Sequence, residues 1–464
     1  MDSGTKLAKK MDDSFARANP LFSNRDLRRL IIPLAIEQFL WLSVGLADTV
    51  MVSSLGEASI SGVSLVNMLN GFMFYIFAGV STGGAVVASQ FLGAGKDDRA
   101  RGSAQQLMMV TLTIGTALLL YCELSCDWTI RLIYGELPPD VMAAAHTYFR
   151  VTAFSFPFMS VYNSCAALLR SEGKSVYCLY SSALSNVLNL GGNALFIFVC
   201  HYGVAGAAWA TVLARGISML MMVYLLTRKQ NRIYLSFREH WGIDWHIIRK
   251  ILHIGIPSGI ESSLFTLGRL LVTGIIAAFG TTQIAANAVA NTMDYMSCMV
   301  GNAFSLGIIT VVGQAVGRGD EDLVRFYIWK MMKFACIFHA LWGVVVLSST
   351  PFCLALYTLT EETRRLAVIL IAIHNGLGLV FWPWSFVFPN ALRSTNDVRF
   401  IMFWSIGSMF IVRVGASYLI GGINFLALGA LGVWIAMVLD WLVRISGFLW
   451  RYHSGKWRIL MHEK

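Results

Sequence analysis

Charged side chains are scarce in this sequence of 464 residues. Asp, Glu, Lys and Arg make up 13% of the chain, whereas hydrophobic residues make up 56%. A soluble protein of this length could not hide so many apolar side chains, because folded domains leave a large part of their surface facing water. The scarcity of charge therefore excludes an ordinary soluble globular protein and favours one surrounded by lipid.

The sequence also lacks the patterns that enzymes and metalloproteins need. No group of His, Cys or carboxylate residues has catalytic spacing, and no complete Gly-Lys loop occurs that would cradle a phosphate. All eight cysteines lie within or at the ends of apolar runs, and their spacing predicts neither a disulfide framework nor a metal site. We therefore expect a protein that is not an enzyme and that carries no cofactor.

Long apolar runs dominate the chain. They cover approximately residues 30–50, 60–89, 105–125, 145–169, 176–199, 204–226, 251–278, 283–313, 330–349, 366–390, 399–420 and 427–450. A helix of roughly 20 apolar residues crosses the hydrocarbon core of a bilayer. Uninterrupted runs of this length satisfy their backbone groups in lipid only as helices. The sequence predicts an all-α membrane protein with twelve transmembrane helices.

The sequence contains an internal duplication, with two similar halves. Residues 25–105 align without a gap on residues 249–329 at a constant offset of 224. The matched landmarks are Pro33 and Pro257, Glu37 and Glu261, Gly56 and Gly280, Asn67 and Asn291, and Gln90 and Gln314. Later parts also correspond at shifted offsets, since residues 167–171 resemble residues 390–394. Two homologous six-helix bundles are the usual plan of a secondary transporter, with its substrate site between the repeats.

The net charge of +10 reflects orientation in the membrane. With the N-terminus in the cytoplasm, 28 of the 36 Lys and Arg residues fall in cytoplasmic parts of the chain. This positive-inside bias predicts a multi-pass protein of the cell inner membrane with both termini in the cytoplasm, and it disfavours a nucleic-acid partner. The predicted parts are a cytoplasmic arm (1–29), an N-lobe (30–227), a cytoplasmic linker (228–250), a C-lobe (251–450) and a cytoplasmic tail (451–464). We expect a monomer.

Polar residues within the membrane are functional candidates, because they are costly in hydrocarbon unless they face a cavity or a partner. In the N-lobe, Glu37 and Asp48 lie on one face of the first helix, eleven residues apart. The candidates at the level of Asp48, or on the fifth and sixth helices, are Ser64, Asn67, Asn186, Asn189, Asn193 and Thr211. A carboxylate with amides and a hydroxyl can bind Na⁺ or a proton, and the amides can equally join helices.

The C-lobe does not repeat these charges. Asp48 aligns with Val272, whereas Gly45 aligns with Arg269 and Asn70 with Asp294. Arg269 and Asp294 lie at similar distances from the turn near Gly280, so they could meet as an ion pair or as a switchable charge. The C-lobe candidates are Glu261, Arg269, Asn291 and Asp294. Packing or interface roles are expected for His339, His374, Arg413, Asp440 and Arg444.

Several motifs, taken together in their order, resemble the multidrug and toxic compound extrusion family. They are Leu46-Ala47-Asp48-Thr49-Val50-Met51-Val52 after Pro33, Ser89-Gln90-Phe91-Leu92-Gly93-Ala94-Gly95, Leu168-Leu169-Arg170-Ser171-Glu172-Gly173-Lys174, Ser185-Asn186-Val187-Leu188-Asn189, and Gly203-Val204-Ala205-Gly206 with Thr211. The resemblance covers nearly all of residues 25–450. It implies two bundles facing each other in a V that export organic, often cationic, compounds in exchange for Na⁺ or H⁺.

The resemblance also implies roles for particular residues. Asp48 would be the coupling carboxylate of the N-lobe, with Asn189 and Thr211 as companions and possible Na⁺ ligands. Asn193 stands where several members carry Asp, which leaves coupling to a single carboxylate. Phe265 and Trp382 occupy the places of a Glu and an Asp in one Na⁺-coupled subgroup, so that second cation site is expected to be absent.

Three alternatives remain open at this point. A flippase or exporter of lipid-linked or anionic metabolites would use Arg215 and Arg269 as anion anchors. An integral membrane enzyme is disfavoured by the missing catalytic patterns. A channel is disfavoured because duplicated halves around a closed cavity need no continuous pore.

Overall fold

A computed structural model describes residues 20–236, 241–422 and 427–462, and every regular element in these ranges is helical. The helices are α1 (Asn24–Ser53), α2 (Glu57–Gly93), α3 (Asp97–Tyr134), α4 (Pro139–Ala153), α5 (Phe156–Ser171), α6 (Ser175–Asn193), α7 (Gly203–Thr227), α8 (Trp245–Ala277), α9 (Thr281–Gly317), α10 (Glu321–Ala355), α11 (Glu361–Trp382), α12 (Phe388–Ser394), α13 (Val398–Gly407), α14 (Ala430–His453) and α15 (Lys456–His462). π-Helical turns follow α6 (Ala194–Val199), α11 (Pro383–Val387) and α13 (Ser408–Val414 and Ser417–Gly421). The all-α membrane fold is confirmed.

All twelve predicted segments coincide with helices, but the fourth is divided. The described residues contain eleven helices long and apolar enough to cross a membrane, judged by length and composition. The predicted segment 145–169 is shared by α4 and α5, which meet at Phe154 and Ser155. Pro157 lies in the first turn of α5, where a proline needs no backbone hydrogen bond. Neither α4 nor α5 alone has the length of a transmembrane helix.

The duplication is visible in the backbone. Gly56 precedes α2 with φ 100°, and Gly280 precedes α9 with φ 98°. Only glycine adopts these angles without strain, which explains why both turns carry it. Pro33 lies inside α1 and Pro257 lies inside α8. The two matched helix pairs therefore use the same turn and the same proline position.

The described residues form two compact units. The N-terminal unit is Asp26–Gly259, and the C-terminal unit consists of residues from Ile260 onward together with those before Asp26. The division falls within α8 rather than in the predicted linker 228–250. The predicted arm, linker and tail each include residues outside the described ranges, namely 1–19, 237–240 and 463–464.

A close crossing of α2 and α8 explains this division. Gly79 and Gly83 on α2 face Gly255 and Gly259 on α8, and both pairs have the spacing GxxxG. A Cβ atom added at Gly255 would lie 2.8 Å from the Cα atom of Val80. Small residues with this spacing allow two helix backbones to touch within a membrane. The first part of α8 is thereby packed onto the N-terminal unit.

The described part of the linker also packs on the N-terminal unit. Arg232 pairs with Asp97 at 2.6 Å, and the backbone NH of Ile233 donates to the carboxylate of Glu172. Gln106 donates to the carbonyl of Gly242 at 2.8 Å. These bonds connect the linker to the start of α3 and to the end of α5.

Candidate functional site

The N-terminal unit gathers a polar cluster where α1, α6 and α7 meet. The side-chain amide of Asn193 donates to Asp48 Oδ1 at 2.5 Å. Asn189, one turn earlier on α6, donates to Thr211 Oγ1 on α7 at 3.2 Å. Asn193 and Asn189 are themselves linked at 3.5 Å. The structure thus brings Asp48 together with the three companions that the sequence placed on the fifth and sixth helices.

The oxygen atoms of this cluster fit a small cation. Oδ1 of Asn193 is buried and has no hydrogen-bond partner. It lies on the same side chain whose amide nitrogen holds Asp48, and carboxylate, amide and hydroxyl oxygens are ligands that hard cations accept. Within the described ranges, no group of three or more His, Cys, Asp or Glu side chains could hold a metal ion. The cluster therefore offers one negative charge and neutral oxygens, a set suited to Na⁺ or H⁺.

Tyr148 and Arg215 belong to this cluster and were missed as members of it by the sequence analysis. The buried Tyr148 hydroxyl on α4 interacts with the side chains of Thr211 and Asn67. Arg215 lies one turn after Thr211 on α7 and donates to Ser155 Oγ at 2.7 Å. Both side chains interact electrostatically with Asp48. The spacing of Thr211 and Arg215 is the one signal that could have linked this arginine to the site.

Among the remaining N-lobe candidates, Asn67 reaches the cluster through the hydroxyl of Tyr148. Asn186 donates to the main-chain carbonyl of Leu40 at 3.1 Å and so ties α6 to α1. Asn67 and Ser64 are exposed on α2, and in the described part of the chain no hydrogen bond joins either to Asp48. Of the amides on α6, Asn186 therefore joins α6 to α1, whereas Asn193 contacts the carboxylate of Asp48.

Glu37 and Glu261 occupy equivalent positions in the two halves, and each interacts with an arginine. Glu37 is 3% exposed and interacts electrostatically with Arg170. Glu261 pairs with Arg393 at 2.5 Å, and Arg170 and Arg393 occupy matching motif positions. A second arginine, Arg444, lies 3.8 Å from Glu261. A glutamate near an arginine thus recurs in both halves, and of the two glutamates only Glu261 forms an ion pair among the described residues.

The C-terminal unit holds a buried ionic group that the sequence analysis regarded as packing. Arg413 pairs with Asp440 at 2.8 Å, and the two side chains are 4% and 0% exposed. Ser408 donates a hydrogen bond to the same carboxylate. Arg444 lies over the rings of Phe265, Phe386 and Phe448, at 4.8 to 5.8 Å from their centroids. Its Nε and Nη1 atoms are buried without a hydrogen-bond partner.

Asp294 does not form the expected ion pair with Arg269. Its carboxylate lies 3.2 Å from Nδ1 of His374 on α11, and the thiol of Cys298 approaches it at 3.6 Å. Arg269 is exposed and interacts with Asp294 only through longer-range electrostatics among the described residues. Asn291 is half-buried one turn before Asp294. Arg269 aligns with Gly45 of the first half. Because Gly45 has no side chain, the duplication offered no equivalent contact from which a partner of Arg269 could be predicted.

Phe265 and Trp382 both take part in aromatic contacts. Phe265 contacts the guanidinium groups of Arg413 and Arg444, and the ring of Trp382 stacks on His339 at 5.1 Å. Both positions are thus occupied by aromatic packing and offer no carboxylate. All eight cysteines are free thiols.

Known proteins with similar sequences are transporters. The chain is 25% identical over 460 residues to "Uncharacterized transporter YisQ" of Bacillus subtilis, covering 98% of this chain and 97% of the relative. It is also 25% identical over 443 residues to "Probable multidrug resistance protein NorM" of Thermotoga maritima, with 93% of each chain covered. The likeness therefore extends over nearly the whole chain.

Solved structures agree with this fold. An outward-facing multidrug resistance MATE family transporter of the MOP superfamily superimposes with a TM-score of 0.86 at 21% identity, covering 93% of this chain and 96% of the other. A MOP superfamily transporter from Pyrococcus furiosus superimposes with a TM-score of 0.83 at 21% identity, covering 95% and 96%. The MatE family model matches residues 33–195 and again residues 257–419. The chain therefore belongs to the MatE family, the multidrug and toxic compound extrusion transporters.

Proposed function

We propose that this protein exports organic, cationic or lipophilic compounds across the cytoplasmic membrane in exchange for H⁺ or Na⁺, by alternating access. The observation that carries the proposal is the contact of Asp48 with Asn193, next to the unpartnered oxygen of that amide. Family membership supports transport, and this contact supports a place for the coupling ion. The coupling ion and the substrate are small, and no nucleic acid takes part.

The charge balance of the cluster explains how ion and substrate would exclude one another. Arg215 is a fixed positive charge that interacts with Asp48. With Asp48 ionised, the pair is neutral overall and tolerates a cationic substrate. A proton or Na⁺ on Asp48 leaves a net positive charge, which repels such a substrate. Coupling follows because ion and substrate stabilise different states of the transporter.

Proteoliposomes test the proposal directly. Efflux of a dye cation is measured under an imposed pH gradient and, separately, under an imposed Na⁺ gradient. Asp48→Asn is expected to reduce gradient-driven efflux to the uncoupled background, whereas the neighbouring variant Thr49→Val retains it. Thr49 is exposed and its hydroxyl bonds only to the carbonyl of Gly45, so it is a suitable control. Undiminished antiport in Asp48→Asn would remove this carboxylate from the mechanism.

We further infer that the protein is a monomer in the cell inner membrane with both termini in the cytoplasm. The distribution of Lys and Arg supports this orientation. Labelling of single cysteines placed at either terminus, in intact cells and in everted vesicles, checks it. Labelling of a terminal cysteine from outside intact cells would reverse the assignment.

Export of anionic or lipid-linked compounds is the second candidate. The buried group in the C-terminal unit contains three arginines, Arg393, Arg413 and Arg444, for the two acids Glu261 and Asp440. Arg444 in particular keeps two nitrogen atoms without a partner. The similar transporter from Pyrococcus furiosus is described as having a "reverse polarity of binding pocket". Transport of a carboxylate or lipid-linked substrate in place of the dye cation would favour this candidate.

A further inference from the structure

Asp294 and His374 form an ionisable pair that bridges α9 and α11. The distance from Asp294 Oδ1 to His374 Nδ1 is 3.2 Å. The imidazole is 1% exposed, whereas the carboxylate side chain is 17% exposed. The carboxylate is thus partly exposed, whereas the imidazole is buried. A proton could reach the buried imidazole through the carboxylate that contacts it.

Two indole rings from α14 enclose the imidazole. The His374 ring centroid lies 4.7 Å from that of Trp434 and 4.3 Å from that of Trp441. Trp434 is held in turn by a hydrogen bond of 3.0 Å to Asn287. An imidazolium is stabilised by aromatic faces and by an adjacent carboxylate, so this cage accommodates the charged form of the histidine.

Charged and titratable side chains from the neighbouring helices surround the pair. Arg269 on α8 and His339 on α10 interact with Asp294, and the Cys298 thiol on α9 contacts it. Asp440 on α14 is engaged by Arg413 and Ser408. Asp294 is therefore the acid in contact with His374, and the neighbouring positive charge belongs to Arg269.

The first half has a neutral contact at the equivalent place. Asn70 aligns with Asp294, and its amide donates to Thr152 Oγ1 on α4 at 3.3 Å. The same two segments of the repeat are thus bridged in both halves. In the first half the bridge cannot titrate, whereas in the second half both partners can. A neutral amide–hydroxyl contact is enough to join two helices. The carboxylate and imidazole found in the second half are therefore not needed for joining helices alone.

We propose that Asp294 and His374 constitute a second proton-binding site, in the C-terminal unit and separate from Asp48. Protonation charges His374 beside Asp294, and deprotonation leaves the carboxylate with the longer-range charge of Arg269. The proposal that this site binds a proton does not depend on the proposed antiport. Its use in transport rests on the proposed function, and it adds a proton dependence that Asp48 alone does not supply.

Tryptophan fluorescence of the purified full-length protein tests the site. A charged imidazole quenches an adjacent indole, and two of the fourteen tryptophans contact His374. A reversible change of emission with pH is expected when His374 gains or loses its proton. His374→Gln abolishes the change, and Asp294→Asn moves its midpoint to lower pH, because the carboxylate that stabilises the charged imidazole is lost. His339→Gln is the matched control, since His339 is buried against Trp382 and is not part of the pair.

A double variant separates folding from titration. The double variant Asp294→Asn with His374→Thr gives the second half the same neutral amide and hydroxyl partners that form the contact in the first half. It is expected to unfold at a temperature close to that of the wild type and to show no emission change. A wild-type protein without any transition, a transition that survives in the double variant, or one lost in His339→Gln would overturn the proposal.

The two proposals fail separately. Asp48→Asn is expected to keep the fluorescence transition, because Asp48 is not part of the pair. If Asp48→Asn transports normally while the transition persists, the proposed function fails and the second proton site stands. If His374→Gln shows unaltered emission while Asp48→Asn loses transport, the opposite holds.

Discussion

Glu37 and Glu261 occupy equivalent positions in the two halves and face equivalent arginines, whereas Asp48 has only Val272 at its equivalent position. The halves therefore agree in the placement of these glutamates and differ in the groups that we propose to exchange an ion. In the first half the proposed group is a carboxylate with amide and hydroxyl neighbours. In the second half it is a carboxylate with a histidine, beside a separate arginine-rich group. Duplication has preserved the scaffold while the chemistry has diverged.

The largest effect is expected from Asp440→Ala, because the Arg413–Asp440 pair exists only in the second half. The aligned position in the first half is Ala214. Removal of the carboxylate leaves Arg413 buried without its counter-charge, at a cost of about 3–5 kcal/mol. Thermal unfolding in detergent measures the loss. Asp322→Ala, in an exposed pair with Arg325, is the control and costs below about 1 kcal/mol.

Addition of Arg413→Met to Asp440→Ala sharpens that prediction. The double variant removes both charges and is expected to recover part of the stability. If the double variant is as unstable as the sum of the single changes, the pair is not the reason for the loss.

A smaller effect is expected from Glu261→Gln and from Glu37→Gln. Glu261→Gln replaces the charged acceptor of Arg393 by a neutral one and costs about 2 kcal/mol of unfolding free energy, whereas Glu37→Gln costs less, because Glu37 interacts with Arg170 only electrostatically among the described residues. Neither variant is expected to alter the ion dependence of efflux, since both glutamates lie apart from the Asp48 cluster. Loss of ion coupling in one variant but not in the other would break the equivalence of the two glutamates.

The smallest of the three effects concerns ion affinity. Asn193→Leu removes the donor that stabilises the ionised form of Asp48, so it is expected to strengthen the apparent affinity for H⁺ by about tenfold, the value of one hydrogen bond to a charged group. It is expected to weaken the apparent affinity for Na⁺, because the amide oxygen is lost as well. The dependence of efflux on H⁺ or Na⁺ concentration measures it. Asn186→Leu is the matched control, because among the described residues the side chain of Asn186 donates to the carbonyl of Leu40 and not to Asp48. Equal changes in both variants would show that the α6 amides only join helices.

The cluster around Asp48 could be predicted because its members follow regular helical spacing. Asn189 and Asn193 lie four residues apart on α6, so they share a face whichever helix they meet. The approximate depth of Asp48 follows from its distance to the turn at Gly56. The participation of Tyr148 could not be predicted in this way, because Tyr148 lies on α4, which carries no other member of the cluster to which its spacing could be compared.

The pairing of Asp294 shows why the second half was harder to predict. The sequence places Arg269 and Asp294 at similar depths, but depth does not specify rotation about the helix axis. In the structure the carboxylate turns toward α11 and meets His374. Arg413 presents a second difficulty, since it lies in the π-helical stretch Ser408–Val414, where the residues per turn differ from the α-helical value.

The sequence by itself determined the lipid surroundings, the helical segments and the duplication. These properties depend on the length and order of apolar runs and on matching positions along the chain. Only the tertiary structure decided which buried charges face one another and where the chain divides into two units. Those features depend on helix rotation and on the close glycine contacts of α2 with α8, which bring together residues that no local pattern relates.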